Sequence, residues 1–169
     1  LKDNFSLDVN GASIESGANV QVYTSNTSNA QKWNIKYHKD GDYYSIINVG
    51  SNKALDVYGA DTSNKANVQI WNQNTSCAQR WKIRKNTDNT YTFLNVCSNK
   101  ALDVNGSGTV NKTNVQIYTD SNTKAQKWNI VAFEGVSNTQ LIADGIYRIN
   151  STLKDNFSLD VNGASIESG

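Results

Sequence analysis

An aspartate, a glutamine and an aromatic residue occur in the same order three times in this chain. The three sets are Asp8, Gln21 and Tyr23; Asp56, Gln69 and Trp71; and Asp103, Gln116 and Tyr118. A carboxylate can accept hydrogen bonds from two vicinal hydroxyl groups, and charged acceptors make the stronger bonds. The flatter C–H face of a pyranose can lie on an aromatic ring and bury apolar area. The three sets therefore predict carbohydrate recognition.

A second interpretation of each set involves no ligand. In it the aspartate fixes a turn, and the aromatic residue covers the flank of the surrounding unit. An isolated exposed aromatic residue would need no explanation. Three aromatic residues at one position of a repeat, each with an aspartate, favour the binding interpretation.

The three sets belong to a longer internal repeat. Leu-Asp-Val occurs at 7–9, 55–57 and 102–104; Val-Gln-φ-aromatic at 20–23, 68–71 and 115–118; and Gln-x-Trp at 31–33, 79–81 and 126–128. The aspartates are 48 and 47 residues apart, and each lies 25 residues before the tryptophan of its own copy. Three markers in fixed register predict three copies of one structural unit.

Each unit is predicted to contain four short strands. In the middle unit they are expected at 44–47, 54–57, 68–71 and 81–83, with Gly, Asn and Asp clustered between them. No helical periodicity of useful length is present. Twelve short strands in three equal lobes predict an all-β, closed, pseudo-threefold structure without free sheet edges.

Strand alternation predicts which side chains point outward. Val20 and Val22 are expected to face the core, which places Gln21 and Tyr23 outside, and Asp8 is expected outside by the same rule. The pattern repeats in the other two units. The tryptophans of Gln-x-Trp fall on the apolar face and are predicted to be core, while the glutamines of that motif are expected to bond backbone or to orient the aspartate; these are Trp33, Trp81 and Trp128 with Gln31, Gln79 and Gln126.

Composition excludes several classes of function. With 16 basic and 15 acidic residues the net charge is +1, so no nucleic-acid partner is expected. No apolar run approaches membrane-spanning length. The single histidine, His38, is expected in a solvated loop, and Cys77 and Cys97 are too few for a disulfide framework. We therefore expect no metal and no other cofactor.

The three markers together resemble the ricin B-type lectin family, whose fold is a β-trefoil. Each Leu-Asp-Val continues to a glycine, at Gly11, Gly59 and Gly106, and the resemblance covers nearly the whole chain. It implies up to three shallow sugar pockets, one per lobe, often for galactose-type or xylan-type glycans. The residues it implies as sugar ligands are Asp8, Gln21, Tyr23, Asp56, Gln69, Trp71, Asp103, Gln116 and Tyr118, joined by the polar residues Asn26, Asn74 and Ser121.

The chain also departs from the family pattern. An asparagine that often precedes Gln-x-Trp and binds sugar is replaced by Ala30, Ala78 and Ala125. Asn29, one residue earlier, is a candidate to compensate for the missing asparagine in the first lobe only. Cys77 and Cys97 do not match the usual disulfide positions within a lobe, so free or loosely placed thiols are expected.

Residues 153–169 repeat residues 1–17 without a mismatch. We predict trefoil lobes at 1–38, 39–85 and 86–131, a connector at 132–144, and a strand at 145–152 that completes the first lobe, in cis or from a neighbouring chain. Two interpretations of the duplicate at 153–169 follow: the chain is a window from a tandem array of trefoils, or it is a permuted chain whose first strand comes last. Because the sequence has no methionine and no signal peptide, the chain is expected to be a mature fragment or an excised piece of something longer. The trefoil has one position for the strand of the first lobe that carries the aspartate, and two copies of that strand, with Asp8 and Asp160, can fill it. One copy is therefore expected to be displaced or exchanged between chains.

The sequence thus predicts a carbohydrate-binding lectin module that acts by multivalent glycan binding. The alternatives are a structural or protein-binding trefoil without sugar affinity, and a targeting module of a larger glycan-active enzyme. Catalysis by this chain is not expected, because a glycoside hydrolase needs two carboxylates and each predicted pocket has one. A secreted or cell-surface location is expected, since extended glycans are extracellular.

Overall fold

The protein is built of short strands and tight turns. The computed structural model describes residues 5–132 and 142–154, and for Lys154 the backbone alone. These residues form twelve strands: β1 Phe5–Val9, β2 Val20–Thr24, β3 Trp33–His38, β4 Tyr43–Asn48, β5 Ala54–Val57, β6 Val68–Trp71, β7 Trp81–Lys85, β8 Tyr91–Asn95, β9 Ala101–Val104, β10 Thr113–Tyr118, β11 Trp128–Ala132 and β12 Gly145–Ser151. Short 3₁₀ turns connect several of them. The predicted all-β class and the four strands of the middle unit are confirmed.

Two sets of antiparallel pairs build the threefold arrangement. One set forms hairpins within the lobes: β1 with β2, β5 with β6, and β9 with β10. The other set closes the structure, and in it β12 pairs with β3, β4 with β7, and β8 with β11. In this structure β12 pairs with β1 and β3 of the same chain, as β4 pairs with β5 and β7 and as β8 pairs with β9 and β11. The first lobe is β12, β1, β2 and β3; the second is β4 to β7; and the third is β8 to β11.

The core is formed by the apolar faces of all three lobes. The three tryptophans of the repeat, Trp33, Trp81 and Trp128, are fully buried. Each indole N–H donates to the carbonyl of the leucine before the repeat aspartate, at 3.0 or 3.1 Å. A buried indole needs such an acceptor, because an unpaired polar group in the core costs stability. The prediction that these tryptophans are core residues is confirmed.

A ring of three asparagines joins the lobes. Asn19 donates to Asn114, Asn114 to Asn67, and Asn67 back to Asn19, at 2.8, 2.9 and 2.9 Å. The three residues are equivalent by the repeat, so the closed ring marks the pseudo-threefold axis. As a result, the loop before the second hairpin strand of each lobe lies against a different lobe.

The prediction of free cysteines is wrong, because Cys77 and Cys97 form a disulfide with their Cα atoms 5.1 Å apart. The turn at Cys77 lies beside the end of β8, where the Asn95 amide donates to the Cys77 and Ala78 carbonyls. This contact brings the residue two beyond Asn95 next to Cys77. Sequence spacing alone gave no sign of that proximity.

The prediction of a solvated loop at His38 is also wrong. His38 is the last residue of β3 and pairs with Tyr43 of β4. Its Nε2 lies 2.8 Å from the Ser45 hydroxyl, and its ring stacks on Tyr43 at 4.6 Å. The β3–β4 hairpin therefore extends further than its polar sequence indicated.

No helix in the part of the chain that the structure describes is long and apolar enough to cross a membrane. Of the predicted connector, 133–141 lies outside the described residues, and so does 155–169 of the duplicated segment.

Candidate functional site

Each lobe carries the same buried carboxylate arrangement. Asp8 on β1 is paired with Gln21 on β2, and the Gln21 amide donates to Asp8 Oδ1 at 2.9 Å. Gln31, from the turn before β3, donates to Asp8 Oδ2 at 3.0 Å. The bonds in the second lobe are 2.9 Å from Gln69 and 3.0 Å from Gln79 to Asp56, and those in the third are 2.9 Å from Gln116 and 3.1 Å from Gln126 to Asp103.

Asp8 and Gln21, which strand alternation places on the outer face of their strands, are largely buried in the structure. They point away from the apolar core, but only 7% of Asp8 and 3% of Gln21 is exposed. Gln31, from the turn before β3, lies against the Asp8 carboxylate and contributes to its burial. An ionised carboxylate has about four lone-pair sites, and the two amides use two of them. The remaining sites leave room for hydroxyl donors.

Gln31 connects the carboxylate to the backbone. Its amide nitrogen also donates to the Thr24 carbonyl at 3.1 Å, and its Oε1 accepts from the Asn26 backbone N–H at 2.8 Å. Gln79 and Gln126 make the corresponding bonds in their lobes. The prediction that these glutamines bond backbone or orient the aspartate is confirmed on both counts.

In two lobes the carboxylate lies beside a shallow cavity. The first-lobe cavity has a volume of about 290 Å³ and includes Asp8, Gln21, Tyr23 and Asn26 among its lining residues. The third-lobe cavity has a volume of about 340 Å³, and its lining includes Asp103, Gln116, Tyr118 and Ser121. Each of these two linings contains one carboxylate. In the second lobe Trp71 is 41% exposed, and it is the most exposed of the three aromatic residues.

The two asparagines predicted as sugar ligands, three residues after the aromatic residue, make hydrogen bonds within their own turns. Asn26 Oδ1 accepts from the Ser28 backbone N–H, and Asn74 Oδ1 accepts from that of Ser76, both at 2.8 Å. Both side chains are exposed. The alanines at the position of the missing asparagine, such as Ala30, are buried, and Ala30 and Ala125 line the two cavities. A sugar contact by Asn26 or Asn74 stays a prediction.

The fold and these three repeated sites define a β-trefoil of the lectin class. Residues 1–128 match the family model of the ricin-type beta-trefoil lectin domain. The chain therefore belongs to the ricin-type β-trefoil lectin family, and it is a carbohydrate-binding module of that family. No curated protein sequence matches it.

Solved structures share the fold. The designed threefold-symmetric protein ThreeFoil is 32% identical with a TM-score of 0.71, and the match covers 75% of this chain and 96% of that protein. An exo-β-1,3-galactanase from Clostridium thermocellum is 25% identical with a TM-score of 0.70, over 76% of this chain and 30% of the enzyme. The ricin B-like lectin of Macrolepiota procera, solved with lactose, is 17% identical with a TM-score of 0.62, and the match covers 76% of this chain and 94% of that lectin. At that identity the last match shows the fold alone.

Proposed function

We propose that this chain is a lectin module with up to three shallow sugar sites, one in each lobe, for galactose-type or xylan-type glycans. The observation that carries the proposal is the threefold repetition of one carboxylate held by two glutamine amides beside an aromatic residue. The name of the galactanase, whose similar region makes up 30% of that enzyme, supports galactose-type ligands.

The chemistry of each site suits a polyol. Two amide N–H groups fix the orientation of the carboxylate before a ligand arrives, so less conformational freedom is lost on binding. The free lone pairs then accept hydrogen bonds from vicinal hydroxyls. The ring of Tyr23, Trp71 or Tyr118 supplies an apolar surface for the C–H face of the sugar.

Multivalency is the second part of the proposal. A shallow site of this kind binds one sugar with a dissociation constant of about 1 mM, or about −4 kcal/mol. Several sites on one chain can raise the avidity for a polyvalent glycan by about 100-fold without any new contact. A secreted or cell-surface location is supported by the Cys77–Cys97 disulfide, because disulfides persist in oxidising compartments.

Two alternatives have support of their own. Ala30, Ala78 and Ala125 lack the amide that the family often uses, which favours a structural or protein-binding trefoil. A targeting module of a larger glycan-active enzyme is favoured by the galactanase, most of whose length lies outside the match. We propose no catalysis by this chain itself, because a hydrolase site needs a second carboxylate.

Removing the three rings is expected to abolish detectable sugar binding. In the variant Tyr23→Ala/Trp71→Ala/Tyr118→Ala each site loses about 1–2 kcal/mol of apolar contact, and therefore about 5- to 30-fold in affinity. Surface plasmon resonance over polyvalent galactose and xylan measures the loss. Tyr37→Ala, which removes an aromatic residue outside the two cavity linings, is the matched control. Unchanged binding by the triple variant would disprove the site assignment.

Sugar binding by the first and third lobes is expected to weaken in acid. Burial raises the pKa of Asp8 and of Asp103 above the ordinary 3.8, and the glutamine amides only partly offset this. The sugar hydroxyls prefer the ionised acceptor, so affinity is fully present at neutral pH and is lost as the pH falls through these raised values. NMR titrations with galactose from pH 7 to pH 4, with circular dichroism as a check of folding, measure the effect. Affinity that stays constant down to pH 4 in a folded protein would contradict a role for the carboxylates.

A further inference from the structure

A loop from a different lobe completes each cavity. Lys112, from the third lobe, lines the first-lobe cavity, and Lys65, from the second lobe, lines the third-lobe cavity. The backbone N–H of Lys112 donates to the Val22 carbonyl at 2.9 Å, and that of Lys65 donates to the Ile117 carbonyl at 2.8 Å. Both lysines are two residues before an asparagine of the central ring, so they occupy equivalent positions.

The second lobe has a glycine at this position. Gly17 donates its N–H to the Ile70 carbonyl at 2.8 Å, as the two lysines do in their lobes. A Cβ atom added to Gly17 would lie 3.6 Å from Cζ3 of Trp71 and 4.0 Å from Oε1 of Gln69. The loop residue therefore lies beside the aromatic ring and the glutamine of the site. The lysines occupy the equivalent positions in the other two lobes. The Cβ atom of Lys112 is therefore expected beside the ring of Tyr23, and that of Lys65 beside the ring of Tyr118.

The lysines keep a backbone conformation that disfavours them. Lys65 has φ +71° and Lys112 has φ +69°, where Gly17 has φ +90°. A residue with a side chain loses stability in this left-handed region, whereas glycine does not. A strained residue at a binding site is a reason to look for a function of its side chain. Two of the three sites thus have a lysine at a position where glycine would give a more stable backbone.

The two amines are available to a ligand. Both side chains are exposed. Three ion pairs occur among the residues that the structure describes, and they involve Lys82, Arg84 and Lys127. The one carboxylate of each cavity, Asp8 or Asp103, is buried and held by two glutamines. An ammonium group at the rim can donate to any sugar hydroxyl, but it forms an ion pair, with charge on both partners, only when the ligand brings an anion of its own.

The second lobe has different side chains around its carboxylate. The residue two after the repeat aspartate is Asn10 in the first lobe and Asn105 in the third, and both line the cavities. In the second lobe it is Tyr58, which is 64% exposed. The second-lobe site therefore has two aromatic residues, Tyr58 and Trp71, and Gly17 in place of a lysine. Aromatic surface without a cation suits an uncharged sugar.

From this geometry we propose that the first- and third-lobe sites select sugars that carry an acidic group, such as uronic acids, and that the second-lobe site selects neutral sugars. The proposal rests on the proposed lectin function and adds the ligand class of each site. The acidic group lies at the lysine, at the boundary between two lobes, while the ring hydroxyls reach the buried carboxylate.

Galactose and galacturonic acid, each as a polyvalent conjugate, test the proposal by surface plasmon resonance at 20 and 200 mM salt. The intact chain is expected to prefer galacturonic acid, and Lys65→Gly/Lys112→Gly is expected to reduce the ratio of the two affinities about threefold, the size of an exposed ion pair. The preference is expected to shrink at high salt, because exposed charges are screened. Gly17→Lys places its new Cβ in ordinary contact but strains the backbone, whose φ is +90°; in the folded variant, checked by circular dichroism, the ratio is expected to rise.

The control Lys36→Ser/Lys39→Ser removes two exposed lysines that are absent from both cavity linings, with the same change of net charge. An equal effect of both double variants would show a general charge effect and overturn the proposal. Binding of galactose with no preference for galacturonic acid would overturn the proposal and leave the lectin function standing. Binding of neither conjugate, and of neither xylan nor glucuronoxylan, would overturn both.

Discussion

Deletion of residues 1–17 together with 155–169 is expected to prevent folding, whereas deletion of either segment alone is expected to leave a folded domain. The first segment contains β1, whose apolar residues Phe5, Leu7 and Val9 are buried in the core. β1 forms five residue pairs with β2 and contacts β12 through Ser6 and Asn150. Without any copy of this strand, the first lobe loses one of its four strands and the carboxylate of its site.

The second copy has the sequence and the position along the chain that are needed to replace the first. Residues 153–169 are identical to 1–17, and they follow β12 directly. The residues 49–53 connect β4 to β5, and 96–100 connect β8 to β9. The same number of residues, 152–156, separates Ser151 from Phe157, the copy of Phe5. A chain that begins at residue 18 can therefore form the strand that carries the aspartate with Asp160, through a connection of the length used in the other lobes.

Circular dichroism and urea unfolding of the three deletion variants measure the outcome. Loss of folding after removal of residues 1–17 alone would show that the second copy cannot occupy the position of β1. Light scattering after size exclusion tests exchange between chains: in the intact protein the unused copy can enter a neighbouring chain, and dimers would increase with concentration. A monomer at every concentration would rule out exchange and leave the competition within one chain.

The fold could be predicted because the repeat fixes it at several levels. The spacing of Leu-Asp-Val, Val-Gln-φ-aromatic and Gln-x-Trp gave the number of lobes, and strand alternation identified the buried Trp33, Trp81 and Trp128. The role of Gln31 also followed from its place in the repeat. Local patterns of this kind agree with the global structure when each lobe repeats the same contacts.

The features that the sequence did not reveal depend on contacts between distant segments. Lys112 reaches the site of Asp8 because strands of different lobes meet at the asparagine ring, and no local pattern links residues so far apart. The Cys77–Cys97 bond depends in the same way on the packing of a turn against the end of β8. Alternation correctly gave the face of Asp8 but not its burial, because the covering turn belongs to a later part of the lobe.

Trp81→Ala is expected to destabilise the protein by about 3–5 kcal/mol, the usual cost of removing a buried aromatic side chain. Trp81 is fully buried, and its loss also removes the N–H that donates to the Leu55 carbonyl at 3.1 Å. Trp71→Ala removes the same side chain from the same lobe at a 41% exposed position. Its effect on stability is expected to lie within about 0.5 kcal/mol, as for surface substitutions.

The two tryptophan variants separate stability from binding. For a domain of this size, about 1 kcal/mol lowers the melting temperature by about 2–4 °C, so Trp81→Ala is expected to melt at least about 6 °C below the intact chain. Trp71→Ala is expected to melt with the intact chain and to bind polyvalent galactose or xylan more weakly through the second lobe. Equal destabilisation by both substitutions would mean that Trp71 stabilises the fold as Trp81 does. In that case the ring of Trp71 would serve the packing of the lobe, and the second-lobe site would lose its main apolar surface.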